Sequence, residues 1–235
     1  MNPENYLLID ASSPLSVAAG VLGECGQSWT CFFEEKSAAL EGIFSATQKI
    51  NQCVPAKSHA GFLFCEGPGS ILGIRIAAAT VRARLALSAD AENPLRVFAY
   101  CSLHLAAHLI LRAFPQEKNF TLVAESRMNA WNVLRVCDGS PEENFSEIKT
   151  VETEKLSSEK IFILPHRRKL PPALANATPC PVFELLKNDP NVFADVPALL
   201  RDCGNAPDAV NTSDINSYAR WTPERHRAET PAEKQ

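Results

Sequence analysis

A glycine turn between an apolar run and a long helix-forming stretch constrains the fold of this chain more than any other feature. The sequence GPGSILGIRIAAATVRARLAL, residues 67–87, follows the apolar run at residues 62–65. This order predicts a buried strand, a tight turn and a helix. Gly67 and Gly69 permit the sharp turn, and Ser70 is placed to cap the helix. Amide groups at such a helix start suit a phosphate or another anion, although the same turn serves a fold that binds no ligand.

The apolar pattern predicts an α/β protein. Strands are predicted at residues 6–9, 15–22, 29–33, 62–65, 96–99, 121–124, 133–136 and 161–164, and helices at 38–50, 70–88, 102–113, 182–187 and 196–202. Three antiparallel strands followed by strands that alternate with helices indicate a mixed sheet. A second cycle of strands begins after a linker at 115–119. Residues 140–160 fit either a loop or an edge strand.

Charge and composition narrow the class of function. The chain has 235 residues, of which 46% are apolar and 21% charged, and its formal charge is −4. This balance argues against a nucleic-acid coat protein or a polybasic membrane anchor. No apolar run approaches the roughly 20 residues that cross a bilayer, and the first residues lack the layout of a signal peptide. We therefore expect a cytoplasmic protein with no membrane partner.

The residues that most often bind metals show no complete ligand set. The eight cysteines are scattered without a C-x-x-C pair, so free thiols are expected rather than a zinc finger or a disulfide framework. His104 and His108 stand four residues apart, a spacing that can hold a metal on one helical face. No third ligand accompanies them in the sequence. We therefore expect no metal site, and interpret the pair as exposed helix histidines.

Six short motifs carry a family resemblance. They are Ile9-Asp10-Ala11-Ser12, Gly67-Pro68-Gly69-Ser70, Gly73-Ile74-Arg75-Ile76, Ser102-Leu103, Glu125-Ser126-Arg127 and Tyr218-Ala219-Arg220. In order and spacing they resemble the TsaB family, also called YeaZ, with the match concentrated in residues 6–136. The family has Asp-Ala-Arg where this chain has Glu125-Ser126-Arg127, and Phe-Thr where it has Ile71-Leu72. The chain is thus identified as a divergent member.

The resemblance implies a two-lobed, actin-like fold in which each lobe is an RNase H-like mixed sheet with helices. We assign residues 1–115 to the N-terminal lobe, 116–221 to a smaller, degenerate C-terminal lobe and 222–235 to a disordered tail. The implied function is a non-catalytic subunit that dimerises with a TsaD-type enzyme in the synthesis of threonylcarbamoyladenosine in tRNA. A TsaE-type ATPase is a further implied partner, and tRNA an indirect one. No catalytic residue and no cofactor held alone are expected, with ATP or ADP at a shared interface.

The same resemblance assigns the partner interface to the helices at 38–50 and 70–88. The expected contact residues are Leu40, Ile43, Phe44, Ile74, Ala77, Ala78 and Val81. Small alanine side chains let a partner helix approach closely. The alternative is that the alanines pack under the chain's own sheet. A homodimer through the same helices is a further expectation, since an exposed apolar patch favours association.

The competing hypothesis is an enzyme that acts alone, either an ATP-dependent kinase or a metal-dependent transferase. Asp10 stands where the actin superfamily places a carboxylate facing phosphates and Mg²⁺, and Gly67, Gly69 and Ser70 would complete an anion site. A kinase would also need a second glycine turn, and residues 121–127 supply none. The histidine pair is two residues out of register with the metal pair of TsaD. A basic cluster at 166–169 is either a solvated loop or a contact for tRNA phosphates.

Overall fold

The chain folds around two mixed sheets. The structure is a computed structural model, and it describes residues 5–23, 26–87, 94–126, 129–141, 148–156, 160–205 and 210. Arg127, the motif at 218–220 and the predicted tail at 222–235 lie outside the described residues. No helix in the described part of the chain is long and apolar enough to cross a membrane.

The first sheet contains six strands in the order β12-β5-β4-β1-β2-β3. Their bounds are β1 Asn5–Asp10, β2 Val17–Gly23, β3 Ser28–Glu35, β4 His59–Gly67, β5 Arg96–Cys101 and β12 Arg201–Gly204. The first three strands are antiparallel neighbours, while β4 and β5 run parallel to β1. Three helices belong to this lobe: α1 Ala39–Cys53, α2 Ile71–Leu87 and α3 Ser102–Ala113.

The second sheet is built from shorter strands. It has the order β11-β10-β6-β7-β8, with β9 also paired to β7. The bounds are β6 Phe120–Glu125, β7 Ala130–Cys137, β8 Ser140–Pro141, β9 Lys149–Glu152, β10 Ile161–Ile163 and β11 Thr178–Pro179, and two short helices follow, α4 Val182–Asn188 and α5 Val192–Asp195. The predicted two-lobed α/β fold is confirmed.

Helix α3 joins the two lobes. One face of the first sheet packs against α1 and α2, and the opposite face packs against α3. The core around α3 continues into the second lobe, where it includes Leu122, Phe162 and Phe193. At the end of α3, Arg112 forms ion pairs with Asp189 and Asp195 of the second lobe. The lobes therefore share one apolar core rather than meeting at a polar hinge.

The predicted short helix at 196–202 is wrong. Residues Pro197–Leu199 form a single 3-10 turn, and β12 then pairs antiparallel with β5. The Arg201 guanidinium forms two hydrogen bonds with the buried Glu66 carboxylate, which fixes the strand at this edge. A short apolar run cannot by itself distinguish strand from helix, and pairing with a distant strand decided it. Residues 201–204, assigned to the second lobe from sequence, thus complete the first sheet.

Candidate functional site

The glycine turn lies directly against the loop that follows β1. A Cβ atom on Gly69 would lie 2.4 Å from the carbonyl oxygen of Ser12, and one on Gly73 would lie 1.9 Å from that of Ala11. Both distances are far below van der Waals contact. Gly67 has φ +111°, a backbone conformation that residues with a side chain rarely adopt. Glycines are therefore required here by the chain's own packing, whether or not a ligand binds.

Hydrogen bonds close the turn internally. The Ser70 amide donates to the Ser12 carbonyl at 2.7 Å, and the Gly73 amide donates to Ser70 Oγ at 3.3 Å. The predicted cap by Ser70 is therefore confirmed. On the other side of the turn, Ser102 Oγ donates to the Pro68 carbonyl at 2.5 Å. Ser70 and Gly73 thus direct their amides to partners within the protein.

Asp10 is buried behind this loop. It is 1% exposed and accepts hydrogen bonds from the Tyr100 hydroxyl and the Ser12 amide, both at 2.7 Å. Burial raises the pKa of Asp10, while the hydrogen bonds from Tyr100 and Ser12 act in the opposite direction. The carboxylate therefore orders the loop that follows β1. Of the four predicted anion-site residues, Asp10 and Gly67 lie away from the cleft between the lobes, whereas Gly69 and Ser70 line it.

That cleft has a volume of about 380 Å³ and walls from both lobes. The first lobe contributes serines from the loop after β1 and from the glycine turn. The second contributes Glu125, which forms a 2.6 Å ion pair with Arg168 Nε and accepts the Arg167 amide at 3.3 Å. Glu34 and Glu184 also line it, so carboxylates outnumber the two arginines. Asp10 is enclosed by Tyr100 and Ser12, and the Ser70 amide is bonded to the Ser12 carbonyl, so both groups already have partners within the protein.

An apolar surface adjoins the mouth of the cleft. Five of the seven exposed large apolar side chains in the described residues belong to it: Leu15, Leu40, Phe44, Ile71 and Leu72, here called the apolar face. The helices α1 and α2 each turn back along the strand that precedes them and pack against each other. Their N-terminal ends therefore lie at the same end of the sheet as the loop after β1. Ile71 belongs to both the apolar face and the cleft wall.

Comparison with known proteins identifies the architecture. The solved structure described as "YeaZ from Pseudomonas aeruginosa" aligns with a TM-score of 0.57 and 14% identity, over 88% of this chain and 97% of that chain. The chain has the YeaZ fold. A second structure, of an uncharacterized protein with similarity to peptidase YEAZ from Pseudomonas aeruginosa, aligns at a TM-score of 0.54 and 15% identity over 82% and 93% of the two chains. No protein-family model and no curated protein sequence matches.

Within the YeaZ fold, the predicted interface residues divide into two groups. Leu40 and Phe44 are 69% and 71% exposed. The remaining five are buried: Ile43, Ile74, Ala77, Ala78 and Val81. Most of them pack into the core between the first sheet and the helices, as the alternative interpretation of the alanines proposed. The interface prediction is corrected at these five positions, because a side chain enclosed by its own core offers no surface to a partner.

The histidine pair lies on the half-buried side of α3. His104 and His108 are both partly covered, so the expectation of exposed histidines is corrected. Burial lowers the pKa of His108, and the neighbouring His104 and Arg112 lower it further. No group of three or more histidine, cysteine or acidic side chains in the described residues is arranged to hold a metal ion.

Two parts of the site were missed from sequence. The serine-rich loop at 12–16 forms one wall of the cleft, and the Glu125–Arg168 ion pair forms part of the other. The cluster of serine and proline in SSPLS is a turn signal, but the predicted strand at 15–22 overlapped it, whereas β2 begins only at Val17. The ion pair joins residues 43 positions apart, and no local pattern indicates such a contact. Leu15 and Leu72 of the apolar face were likewise not among the interface residues predicted from the sequence.

Proposed function

We propose that this chain is a divergent TsaB-like subunit, itself non-catalytic, that binds and activates a TsaD-type enzyme in the synthesis of threonylcarbamoyladenosine in tRNA. The YeaZ fold over most of the chain supports this assignment. So do the TsaB-like motifs, because they include the glycine turn that begins α2. In this proposal the protein works in the cytoplasm and reaches tRNA only through its partner.

The apolar face is the single observation that carries the proposal. Leu40, Phe44 and Leu72 each expose more than two thirds of their surface, although they sit on helices whose inner sides are well packed. Exposed large apolar side chains grouped on one surface mark an interaction site in a monomeric protein. Helices that present such a group suit a partner with a matching apolar helix surface. The TsaD-type subunit is the occupant that we propose.

The position of the apolar face next to the cleft suggests where a nucleotide belongs. Ile71 contributes to both surfaces, so a partner seated on the apolar face would lie beside the cleft mouth. We propose that ATP or ADP binds at this shared boundary, with the partner and a TsaE-type ATPase supplying the charged groups that the cleft lacks. An enzyme acting alone is not proposed, because Asp10 is enclosed by Tyr100 and Ser12.

Affinity measurement with the TsaD-type protein of the same organism tests the proposal. We expect a stable complex with the wild type and a loss of affinity of at least 100-fold for Phe44→Glu, because the charge would be desolvated in the interface. Leu87→Glu is the matched control. It introduces the same glutamate at an apolar residue that is 87% exposed at the C-terminal end of α2, away from the apolar face, and it should bind as the wild type does.

The outcomes separate the function from the surface. If the wild type does not bind the TsaD-type protein, the proposed function is wrong. If the wild type binds and Phe44→Glu binds equally well, the partner is right and the surface is wrong. Size measurement of the protein alone shows whether a homodimer uses the same surface, in which case Phe44→Glu should be monomeric.

A further inference from the structure

Two cysteines meet where the end of α1 crosses β3. Cys53 is the last residue of α1 and is exposed, while Cys31 lies in β3, partly covered by the core under the helix. Cys53 is near enough to Cys31 to contribute to the raised pKa of the Cys31 thiol.

The register of α1 on β3 explains why they meet. Only three residues separate β3 from α1, so the helix runs back along the strand. Lys49 Nζ lies 2.6 Å from Glu35 Oε1 and 6.0 Å from the centre of the Phe33 ring. From Lys49 to Cys53 the helix advances about 6 Å, and from Phe33 to Cys31 the strand covers about 6.6 Å in the same direction.

The two thiols also face each other. Cys31, Phe33 and Glu35 alternate along β3 and therefore share one face of the strand, which is the face under α1. Cys53 follows Lys49 by four residues and so lies on the same side of the helix. Regular helix and strand geometry thus places Cys53 over Cys31, independently of any electrostatic argument.

We propose that Cys31 and Cys53 are a redox modification site that forms a reversible intramolecular disulfide on exposure to hydrogen peroxide. Cys53 is exposed, so peroxide reaches it first. Its thiolate attacks one peroxide oxygen, the S–O bond forms as the O–O bond breaks, and hydroxide leaves to become water. Cys31 then loses its proton and attacks the Cys53 sulfur. The S–S bond forms, the S–O bond breaks and a second water is released. Two thiols are oxidised and one peroxide is reduced.

The environment of Cys31 favours this order of events. Burial raises the pKa of the Cys31 thiol to about 11, and the adjacent Cys53 contributes to the rise. A thiol that is rarely ionised reacts slowly with free peroxide, because the thiolate is the nucleophile. Cys31 is therefore suited to resolve an oxidised neighbour rather than to be oxidised first. The inference stands apart from the proposed function.

The consequence is a tether between α1 and the sheet. A Cys31–Cys53 disulfide closes a loop that contains the whole of α1 and holds its last turn to β3. Closing a loop of about 20 residues limits the freedom of the unfolded chain, which raises stability if the bond forms without strain. We expect the thermal midpoint of the oxidised protein to be higher by several degrees and to return to the starting value with dithiothreitol.

Peptide mapping of the full chain tests the proposal. The reduced protein is treated with hydrogen peroxide, digested without reductant and analysed by mass spectrometry. We expect a linked peptide that contains Cys31 and Cys53 and is lighter by two hydrogen atoms than the separate peptides. Cys53→Ser and Cys31→Ser should each abolish it. The matched control is Cys137→Ser, which changes another exposed cysteine and should leave the link intact.

Two results would overturn the proposal. One is oxidation of Cys53 to sulfinic acid in the wild type without a linked peptide. The other is a link from either residue to a different cysteine, including Cys25, which lies outside the described residues. Circular dichroism of Cys53→Ser confirms that the variant folds. Because Cys53 is exposed at a helix end, we expect no change in its spectrum.

Discussion

The two faces of the first sheet are covered in different ways. On one face, α3 lies between the first sheet and the second lobe, and seven of its twelve residues are buried. On the other face, α1 and α2 form a single layer whose outer side carries Leu40, Phe44 and Leu72. Apolar side chains on the α3 face stabilise the monomer. Those on the outer side of α1 and α2 contribute little to it, which is why they indicate a partner.

The largest expected effect on stability lies on the α3 face. Leu105 is fully buried in the core that joins the lobes. Leu105→Ala should lower the free energy of unfolding by about 2–5 kcal/mol, because it removes apolar contacts and leaves a cavity. Urea unfolding followed by circular dichroism measures it. A cost below about 1 kcal/mol would show that the two lobes do not share a continuous core.

A smaller effect is expected where α2 meets the loop after β1. In Gly73→Ala the new methyl group would overlap the Ala11 carbonyl, so loop or helix must move. We expect a loss of about 1–3 kcal/mol in the free energy of unfolding, the range typical of overpacking. Ala79→Ser, an exposed change on the same helix, is the control and should be nearly neutral. An equally stable Gly73→Ala would contradict the close approach described for this turn.

The polar group buried on the α3 side gives a pH response of defined sign. Burial raises the pKa of Asp10 above 3.8 in the folded state. Its contribution to stability is therefore fully present below pH 3.8 and is lost as pH rises towards the folded pKa. As pH increases from 4 to 7, the free energy of unfolding of Asp10→Asn should therefore rise relative to that of the wild type. The enclosure of this carboxyl would be contradicted if the free energy of unfolding of the variant minus that of the wild type fell, rather than rose, over this pH range.

His59, near Arg84 of α2, should respond in the opposite direction. Burial, with a smaller contribution from the Arg84 charge, lowers its pKa from 6.5 to about 4. Because the folded pKa is depressed, stability is present above pH 6.5 and is lost as pH falls towards 4. His59→Gln should lose this part of the acid sensitivity, as measured by urea midpoints between pH 7 and 4. His166→Gln, on a loop of the second lobe, serves as the control and should lose stability between pH 7 and 4 as the wild type does.

The smallest effect is expected on the outer side of α1. Leu40→Ala should change the free energy of unfolding by no more than about 0.5 kcal/mol, because the side chain is already mostly in water. The same urea measurement used for Leu105→Ala checks it. A loss comparable to that of Leu105→Ala would show that the apolar face stabilises the monomer, and would remove the main argument for a partner there.

Local sequence predicted most of the helices and strands, but not which of their sides are covered by the core. Helix α2 and the cap by Ser70 follow from glycine, serine and a run of helix formers, all within one short segment. The assignment of Ala77, Ala78 and Val81 to an interface failed, because alanine suits both a helix interface and a tightly packed sheet. Only the positions of β1 and β4 beneath α2 determined which side of the helix is covered.

By itself, the sequence determined the α/β class, the order of the elements as far as β7 and the glycine turn before α2, because propensity, capping and backbone freedom act over a few residues. The tertiary structure alone decided that β12 returns to the first sheet, that Asp10 is enclosed and that Cys53 lies near Cys31. It also decided which apolar side chains remain in water. These outcomes depend on contacts between residues distant in the chain, and such contacts leave no local pattern in the sequence.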